Sequence, residues 1–156
     1  YHVVNLQGTW YLLGSASLKD PEVRQYAIAR MQAAHVDAHR AVIPADFDVN
    51  ALLDISFGRF IGKPDQVEEI HLRFAKSRAL LVQSRTFSAN ETKTVLPDGD
   101  IELRFRASYA GPWPYYHIKS WILAWGPDVE VLGPERLKKF LDDDIRAMAA
   151  RLTSPA

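Results

Sequence analysis

The spacing of apolar residues changes several times after Val67, and this succession of periods limits the folds open to the chain. Apolar residues alternate with polar ones over Ile70–Phe74, recur at helical spacing in residues 75–83, and alternate again beyond a turn at Pro97–Asp100. A second helical run, a short strand and a final helix follow. Alternation marks strands, and a period near 3.6 marks helices. The pattern predicts a β-α-β-β-α-β order followed by a closing helix.

This order is that of the split βαβ, or ferredoxin-like, arrangement, in which helices cover one face of an antiparallel sheet. Aromatic residues of the second helix, Trp121 and Trp125 among them, admit a nucleobase-stacking surface. Their helical spacing with Ile118 and Ile122 favours a packed core helix instead. The fold class predicted from residue 67 onward is α+β.

The first 36 residues have a different pattern, which consists of short β segments. Residues 8–14 place Trp10, Tyr11 and two leucines between glycines, as in a strand. A turn is predicted over residues 17–22, and residues 24–30 form a second strand pattern. An unbroken second strand would place alternating residues on one face. These are Arg24, Tyr26, Ile28 and Arg30.

The segment between these two patterns is interpreted as a connector with a short helix of its own. Asp46 or Asp48 could cap that helix, which would run through Leu53. Gly58 would end the helix, and Gly62 would mark a further loop after it.

Composition excludes several classes of protein. Lys and Arg number 19, as do Asp and Glu, so the net charge is zero, which argues against non-specific binding of duplex nucleic acid. The absence of cysteine excludes disulfides and thiolate chemistry. The apolar runs are too short to cross a bilayer, so we expect a cytoplasmic protein with no membrane partner. Because the first residue is Tyr1 rather than Met, we expect a fragment of a longer chain.

No catalytic motif is evident, and we expect a protein that is not an enzyme. The sequence has no G-x-S-x-G, no glycine-rich phosphate loop and no H-E-x-x-H. No catalytic residue, metal ligand or cofactor is therefore predicted.

Two strands near the start of the chain resemble the WYL domain of bacterial transcriptional regulators. Residues 8–14, Gly-Thr-Trp-Tyr-Leu-Leu-Gly, match that family's Gly-x-Trp-Tyr-Leu strand. Residues 24–30 match its Arg-x-Phe-x-x-x-Arg strand, with Tyr26 in place of phenylalanine. His2 matches a polar or basic position that often precedes the first of these strands.

The remainder resembles the C-terminal extension of that family, called WCX. The resemblance covers five segments of the chain in order: residues 46–47, 56–58, 72–74, 121–126 and 129–137. The family usually has a Trp-His-x-x-Gln stretch after the first helix of this extension, and residues 85–90 depart from it.

The resemblance implies a division of the chain and its partners. Residues 1–36 would be the later strands of a WYL domain, which is a small SH3-like (Sm-type) barrel, residues 37–66 a connector, and residues 67–156 the WCX domain. The first barrel strands and the winged helix-turn-helix that binds DNA would be missing. The edge left unpaired predicts a homodimer or strand exchange.

The resemblance also implies the effector-sensing and oligomerisation part of a DNA-binding regulator. The expected effector is anionic, either a nucleotide or a nucleic-acid piece. Arginine offers a planar set of donors to phosphate, and a tyrosine ring can receive a base or an arginine. We predict that Tyr11 faces the arginines in one basic pocket. The predicted ligand-binding residues are His2, Tyr11, Arg24, Tyr26 and Arg30.

Two alternatives remain open. One is a single-stranded nucleic-acid binding module, in which the small barrel holds a strand on its basic face. The other is an enzyme on a ferredoxin-like scaffold, since that fold hosts many unrelated activities.

Overall fold

The computed structural model describes residues 1–16, 22–36, 38, 40–109 and 114–153. It has a mixed α/β architecture with two antiparallel sheets and a long final helix. The strands are β1 (His2–Leu6), β2 (Thr9–Gly14), β3 (Arg24–Ala27), β4 (Val67–Phe74), β5 (Thr92–Val95), β6 (Ile101–Ser108) and β7 (Val129–Gly133). The α-helices are α1 (Val49–Asp54), α2 (Ala79–Gln83), α3 (Tyr116–Leu123) and α4 (Glu135–Thr153).

The predicted succession of elements after residue 67 is confirmed. Strands β4 to β7 form a four-stranded antiparallel sheet in the order β5-β6-β4-β7. The alternation predicted for β6 matches its burial, since all four inward residues are buried. They are Ile101, Leu103, Phe105 and Ala107.

The core of this part lies between the sheet and three helices. Val82 of α2, Ile118 and Ile122 of α3, and Leu137 and Leu141 of α4 pack against the inward face of the sheet. Burying each side chain of this kind contributes about 1.5–3 kcal/mol relative to leaving it exposed. The interpretation of α3 as a packed core helix is correct, since its isoleucines are buried and Trp121 packs, partly buried, against the core.

The turn between β5 and β6 forms as predicted. Gly99 has φ +91°, a left-handed conformation that glycine adopts without steric cost. Arg73 on β4 donates hydrogen bonds to Asp98 at 2.5 Å and to Asp100 at 2.8 Å. The bond from Arg73 is the main cause of the lowered pKa of Asp100. The turn is thereby joined to the neighbouring strand.

The connector contains the predicted helix, and Asp48 is its cap. The Asp48 carboxylate accepts hydrogen bonds from the amides of Asn50 and Ala51 at 2.8 and 3.2 Å. Beyond the helix, the amide of Ser108 donates to the carbonyl of Ile55 at 2.8 Å. The connector is therefore hydrogen-bonded to the end of β6.

The first three strands form a separate antiparallel sheet in the order β1-β2-β3. The prediction of an unbroken strand over residues 24–30 is wrong. Strand β3 ends at Ala27, and Ile28–Arg30 form a 3-10 turn. A 3-10 turn rotates successive side chains by about 120°, so Arg30 no longer alternates with Arg24. Residues 17–21 of the predicted turn lie outside the described residues.

Candidate functional site

The strand that carries Trp10 and Tyr11 is held in a tight hairpin with β1. Gln7 and Gly8 form the two-residue connection, with φ +50° and +80°. Two successive positive φ values are typical of a type I′ turn, whose twist suits neighbouring strands. The Asn5 side chain accepts a hydrogen bond from the Gly8 amide at 3.0 Å and fixes the turn.

The register of this sheet divides the predicted ligand-binding residues between its two faces. Tyr11 pairs with Val4 and Ala27, so its side chain lies on the face that contains the buried Leu13. Tyr26 pairs with Leu12, on the opposite face. In an antiparallel pair, residues directly opposite each other point to the same face.

The prediction that Tyr11 faces the arginines is therefore wrong for Arg24. Arg24 pairs with Gly14 and lies on the face of Tyr26, whereas His2 pairs with Leu13 and lies on the face of Tyr11. The cause is period-two geometry, because Tyr11 and Gly14 are an odd number of residues apart.

Arg30 and the hydroxyl of Tyr26 differ in exposure. Arg30 is exposed in the 3-10 turn. The hydroxyl of Tyr26 is buried and finds no hydrogen-bond partner among the described residues. A buried hydroxyl without a partner is costly, and Tyr26 lines neither of the two larger cavities described below.

A cleft of about 1150 Å³ lies between β3 and the connector, and we call it the junction cleft. Its polar lining includes Arg24 and Lys63, and its apolar lining includes Phe47, Leu52 and Phe60. The lining also contains carboxylates, which are Glu22, Asp46, Asp48 and Asp65. Four carboxylates against two cations, among the described residues, leave only a local basic region in an otherwise acidic cleft.

That basic region surrounds the carboxylate of Glu22. One oxygen of Glu22 accepts a hydrogen bond from Lys63 Nζ, and the other lies 3.4 Å from Arg24 Nε. The bond from Lys63 is the main cause of the lowered pKa of Glu22, and Arg24 adds to it. The three side chains are each more than 40% exposed, so the contact is open to water and to competing anions.

Gln25 fastens the first sheet to the wall of the junction cleft. Its side-chain nitrogen donates to the carbonyl of Arg59 at 2.6 Å, and its side-chain oxygen accepts from the amide of Ile61 at 3.1 Å. Both ends of one amide are therefore used in holding the turn after the connector helix against β3.

The turn over Phe57–Phe60 stands next to the cleft and packs on α3. Gly58 has φ +71°, and a Cβ there would lie 2.8 Å from the His117 ring. Phe60 packs on the same ring at 4.5 Å between centroids. Burial, and after it the charge of Arg59, lowers the pKa of His117, so this histidine is neutral at neutral pH.

Sequence reasoning missed Glu22 and Lys63 as site residues. Lys63 lies between Gly62 and Pro64, a pattern that predicts only a loop. Their contact joins residues 41 positions apart, and no local pattern reports such a pair.

The WCX domain family model matches residues 66–149, which is more than half of the 156 residues. The chain belongs to the WCX domain family. A comparison with curated proteins gives no significant match. The matched segment begins at Gln66, which also lines the junction cleft. The cleft therefore lies where the WCX domain meets the preceding segment.

Residues 85–90 of the WCX domain are held by polar contacts. The Asn90 side chain donates to the carbonyls of Asp54 and Arg106 and accepts from the amide of Arg106. Glu91 accepts from the amides of Phe87 and Ser88 at 2.8 and 3.0 Å.

Glu91 is ionised despite its partial burial. Burial alone would raise the pKa of Glu91, but the hydrogen bonds from Lys93 and from the two backbone amides hold it below its usual value. The carboxylate thereby closes the loop that precedes β5.

Two kinds of feature are absent from the part of the chain that the structure describes. No group of histidines and carboxylates there could hold a metal ion. None of the described helices combines the length and the apolar character needed to cross a bilayer.

Proposed function

We propose that the chain is the effector-sensing and oligomerisation part of a WYL-type DNA-binding transcriptional regulator. The observation that carries the proposal is the junction cleft, whose cations lie where a WCX domain meets a sheet bearing Trp10, Tyr11 and Leu12. WCX domains are found in WYL-type regulators. In this proposal the role is binding rather than catalysis.

The finer fold assignments belong to the same proposal. The sheet order β5-β6-β4-β7, with all neighbours antiparallel, supports a ferredoxin-like arrangement for residues 67–133. The three-stranded sheet, with its short hairpin, supports part of an SH3-like barrel. Residues 1–36, 37–66 and 67–156 remain the proposed divisions of the chain.

In the proposed site, an anionic group of the effector replaces the Glu22 carboxylate between Arg24 and Lys63. Glu22 already occupies the position that a phosphate or carboxylate would take, and it shows that two cations converge there. The apolar side chains of Phe47, Leu52 and Phe60 would contact the rest of the ligand.

The other charges of the junction cleft favour a compact anion over an extended strand. Asp46, Asp48 and Asp65 would repel the successive phosphates of an oligonucleotide. A single-stranded binding module needs a positively charged groove that follows the backbone. We therefore propose a mononucleotide, or an anion of similar size, as the effector.

We also propose a homodimer. The outer edges of β1 and β3 pair with no strand among the described residues. Trp10 and Val3, on one face of the same sheet, are 56% and 47% exposed. Unpaired edges and exposed apolar side chains favour association. A monomer in sedimentation at high protein concentration would contradict this part.

The test is a titration of nucleoside monophosphates and short oligonucleotides by calorimetry and thermal shift. Glu22→Gln removes the competing charge, and since an exposed ion pair is worth about 0.2–1 kcal/mol, affinity should rise by about 1.4- to 5-fold. Arg24→Ala removes a charged hydrogen bond and should weaken binding by about tenfold or more.

Arg30→Ala is the matched control, because Arg30 is exposed but does not line the junction cleft. It should leave affinity unchanged. Equal losses for Arg24→Ala and Arg30→Ala would contradict the cleft. If the operator affinity of the full-length regulator does not change at saturating effector, the sensing role is wrong.

A further inference from the structure

A second cavity, of about 450 Å³, lies between the β1–β2 turn and helix α3. We call it the aromatic cavity. It shares no lining residue with the junction cleft, and the turn over Phe57–Phe60 separates the two. Its volume is within the range of about 300–1,000 Å³ typical of small-molecule sites.

Three partly buried aromatic rings form its apolar wall. The Trp121 ring lies 5.0 Å from the Phe87 ring and 5.4 Å from the Phe57 ring, between centroids. Their planes are tilted by 56° and 65°, so the three rings do not form a parallel stack. Each ring packs against the core, is only partly buried, and lines the cavity with part of its surface. Stacking of a base on such a surface tolerates any base.

The remaining wall is polar and uncharged. Gln7 offers an amide, and Thr86 and Ser120 offer hydroxyls. His117 offers an imidazole that burial keeps neutral at neutral pH. Ser120 donates its own proton to the carbonyl of Tyr116 at 2.7 Å, so its oxygen remains an acceptor. These groups suit the hydrogen-bonding edges of a heterocycle and give no preference to a net charge.

The backbone of Gln7 supplies an independent observation. Its φ of +50° is left-handed, a conformation that favours glycine or asparagine in a type I′ turn. A glutamine at this position costs the hairpin stability, yet it reaches the wall of the aromatic cavity. Strained residues of this kind are concentrated at ligand sites.

We propose that the aromatic cavity binds an uncharged planar heteroaromatic ring of nucleobase type, stacked on Trp121 and Phe87 and hydrogen-bonded by Gln7 and Ser120. The site goes beyond the proposed function and does not depend on it, because no residue of the junction cleft takes part.

The test uses the common uncharged ribonucleosides, titrated against the whole chain by calorimetry and by tryptophan fluorescence. At least one should bind saturably, with an affinity that salt does not change, because the ligand carries no charge. Ser120→Leu fills the cavity from an exposed helical position, and the loss of one stacked base should weaken binding by about tenfold or more.

The matched control is Ser84→Leu. Ser84 is also exposed and also donates to a backbone carbonyl, that of Leu81, but it does not line the aromatic cavity. The nucleoside affinity of Ser84→Leu should equal that of the unaltered protein. Arg24→Ala should likewise leave nucleoside binding unchanged, which separates failure here from failure of the proposed effector site.

A second variant, Gln7→Gly, removes the side chain while keeping the positive φ, so the hairpin is retained. It should weaken binding without lowering the melting temperature. Three results would overturn the proposal: no saturable binding of any nucleoside, full affinity in both Ser120→Leu and Gln7→Gly, or equal binding of a simple sugar without an aromatic ring.

Discussion

The side chain of Gln25 allows a direct test of how the first sheet is joined to the rest of the molecule. Gln25→Leu keeps the size of the side chain and removes both hydrogen bonds, to Arg59 and Ile61. Each net hydrogen bond contributes about 0.5–1.5 kcal/mol, and the bond to Arg59 is exposed to water, so we expect a loss of about 1–2 kcal/mol. For a chain of this length the melting temperature should fall by about 2–8 °C.

Gln25→Glu gives the same contact a dependence on pH. The introduced carboxylate can still accept from the Ile61 amide, but it repels the Arg59 carbonyl. Its protonated form can donate to that carbonyl, so folding raises its pKa above the unfolded value. The added stability is then present below the unfolded pKa and is lost as pH rises through the folded pKa. The loss of folding stability in Gln25→Glu, relative to the unaltered protein, should therefore become smaller as pH falls toward about 4.

Urea unfolding followed by circular dichroism, at neutral and acidic pH, measures both effects. Gln83→Leu, at an exposed position at the end of α2, is the control for exchanging glutamine with leucine. A loss for Gln25→Leu no larger than that for Gln83→Leu would refute the reasoning. A deficit of Gln25→Glu that does not vary with pH would refute the assignment of donor and acceptor.

Three further predictions concern single residues and are measured by urea unfolding. Gly58→Ala should cost at least about 2 kcal/mol, because it adds a clash with His117 to the left-handed penalty, whereas Gly8→Ala, in open space, should cost about 1 kcal/mol. Equal losses would contradict the clash. Gln7→Asn should raise the free energy of unfolding by at most about 1 kcal/mol, because asparagine tolerates the positive φ. The pKa of Glu91 is lowered, so its contribution to stability is present above the unfolded pKa and is lost as pH falls through the folded pKa. In Glu91→Gln, the free energy of unfolding should therefore fall less between about pH 5 and 3 than in the unaltered protein.

The element order after residue 67 could be predicted because each element there has one buried face. In β6, every second residue is buried, and the glycine of the turn before it adopts the positive φ that the turn requires. Local pattern and tertiary packing agree at these positions. The end of β3 at Ala27 could not be predicted, because the alternation of residues 24–30 continues past the last residue that pairs with β2.

The candidate site was less accessible to sequence reasoning. The WCX assignment followed from motifs in order along the chain, and the family match confirms it. The pairing of Glu22 with Lys63 and the closing of the aromatic cavity by Gln7 depend on how distant segments meet. The division of Tyr11 and Arg24 between two faces was, by contrast, contained in the register. The sequence between the two strands does not by itself specify that register.

The turn over Phe57–Phe60 connects the two proposed sites, because it forms a wall of both. Phe60 lines the junction cleft, Phe57 lines the aromatic cavity, and a void of about 20 Å³, enough for about one water molecule, lies against both rings. A bound molecule that shifts this turn from one side therefore reshapes the opposite site. Thermodynamic linkage then requires each occupant to change the affinity of the other by the same factor, so that two unlike signals would be read as a single combined one.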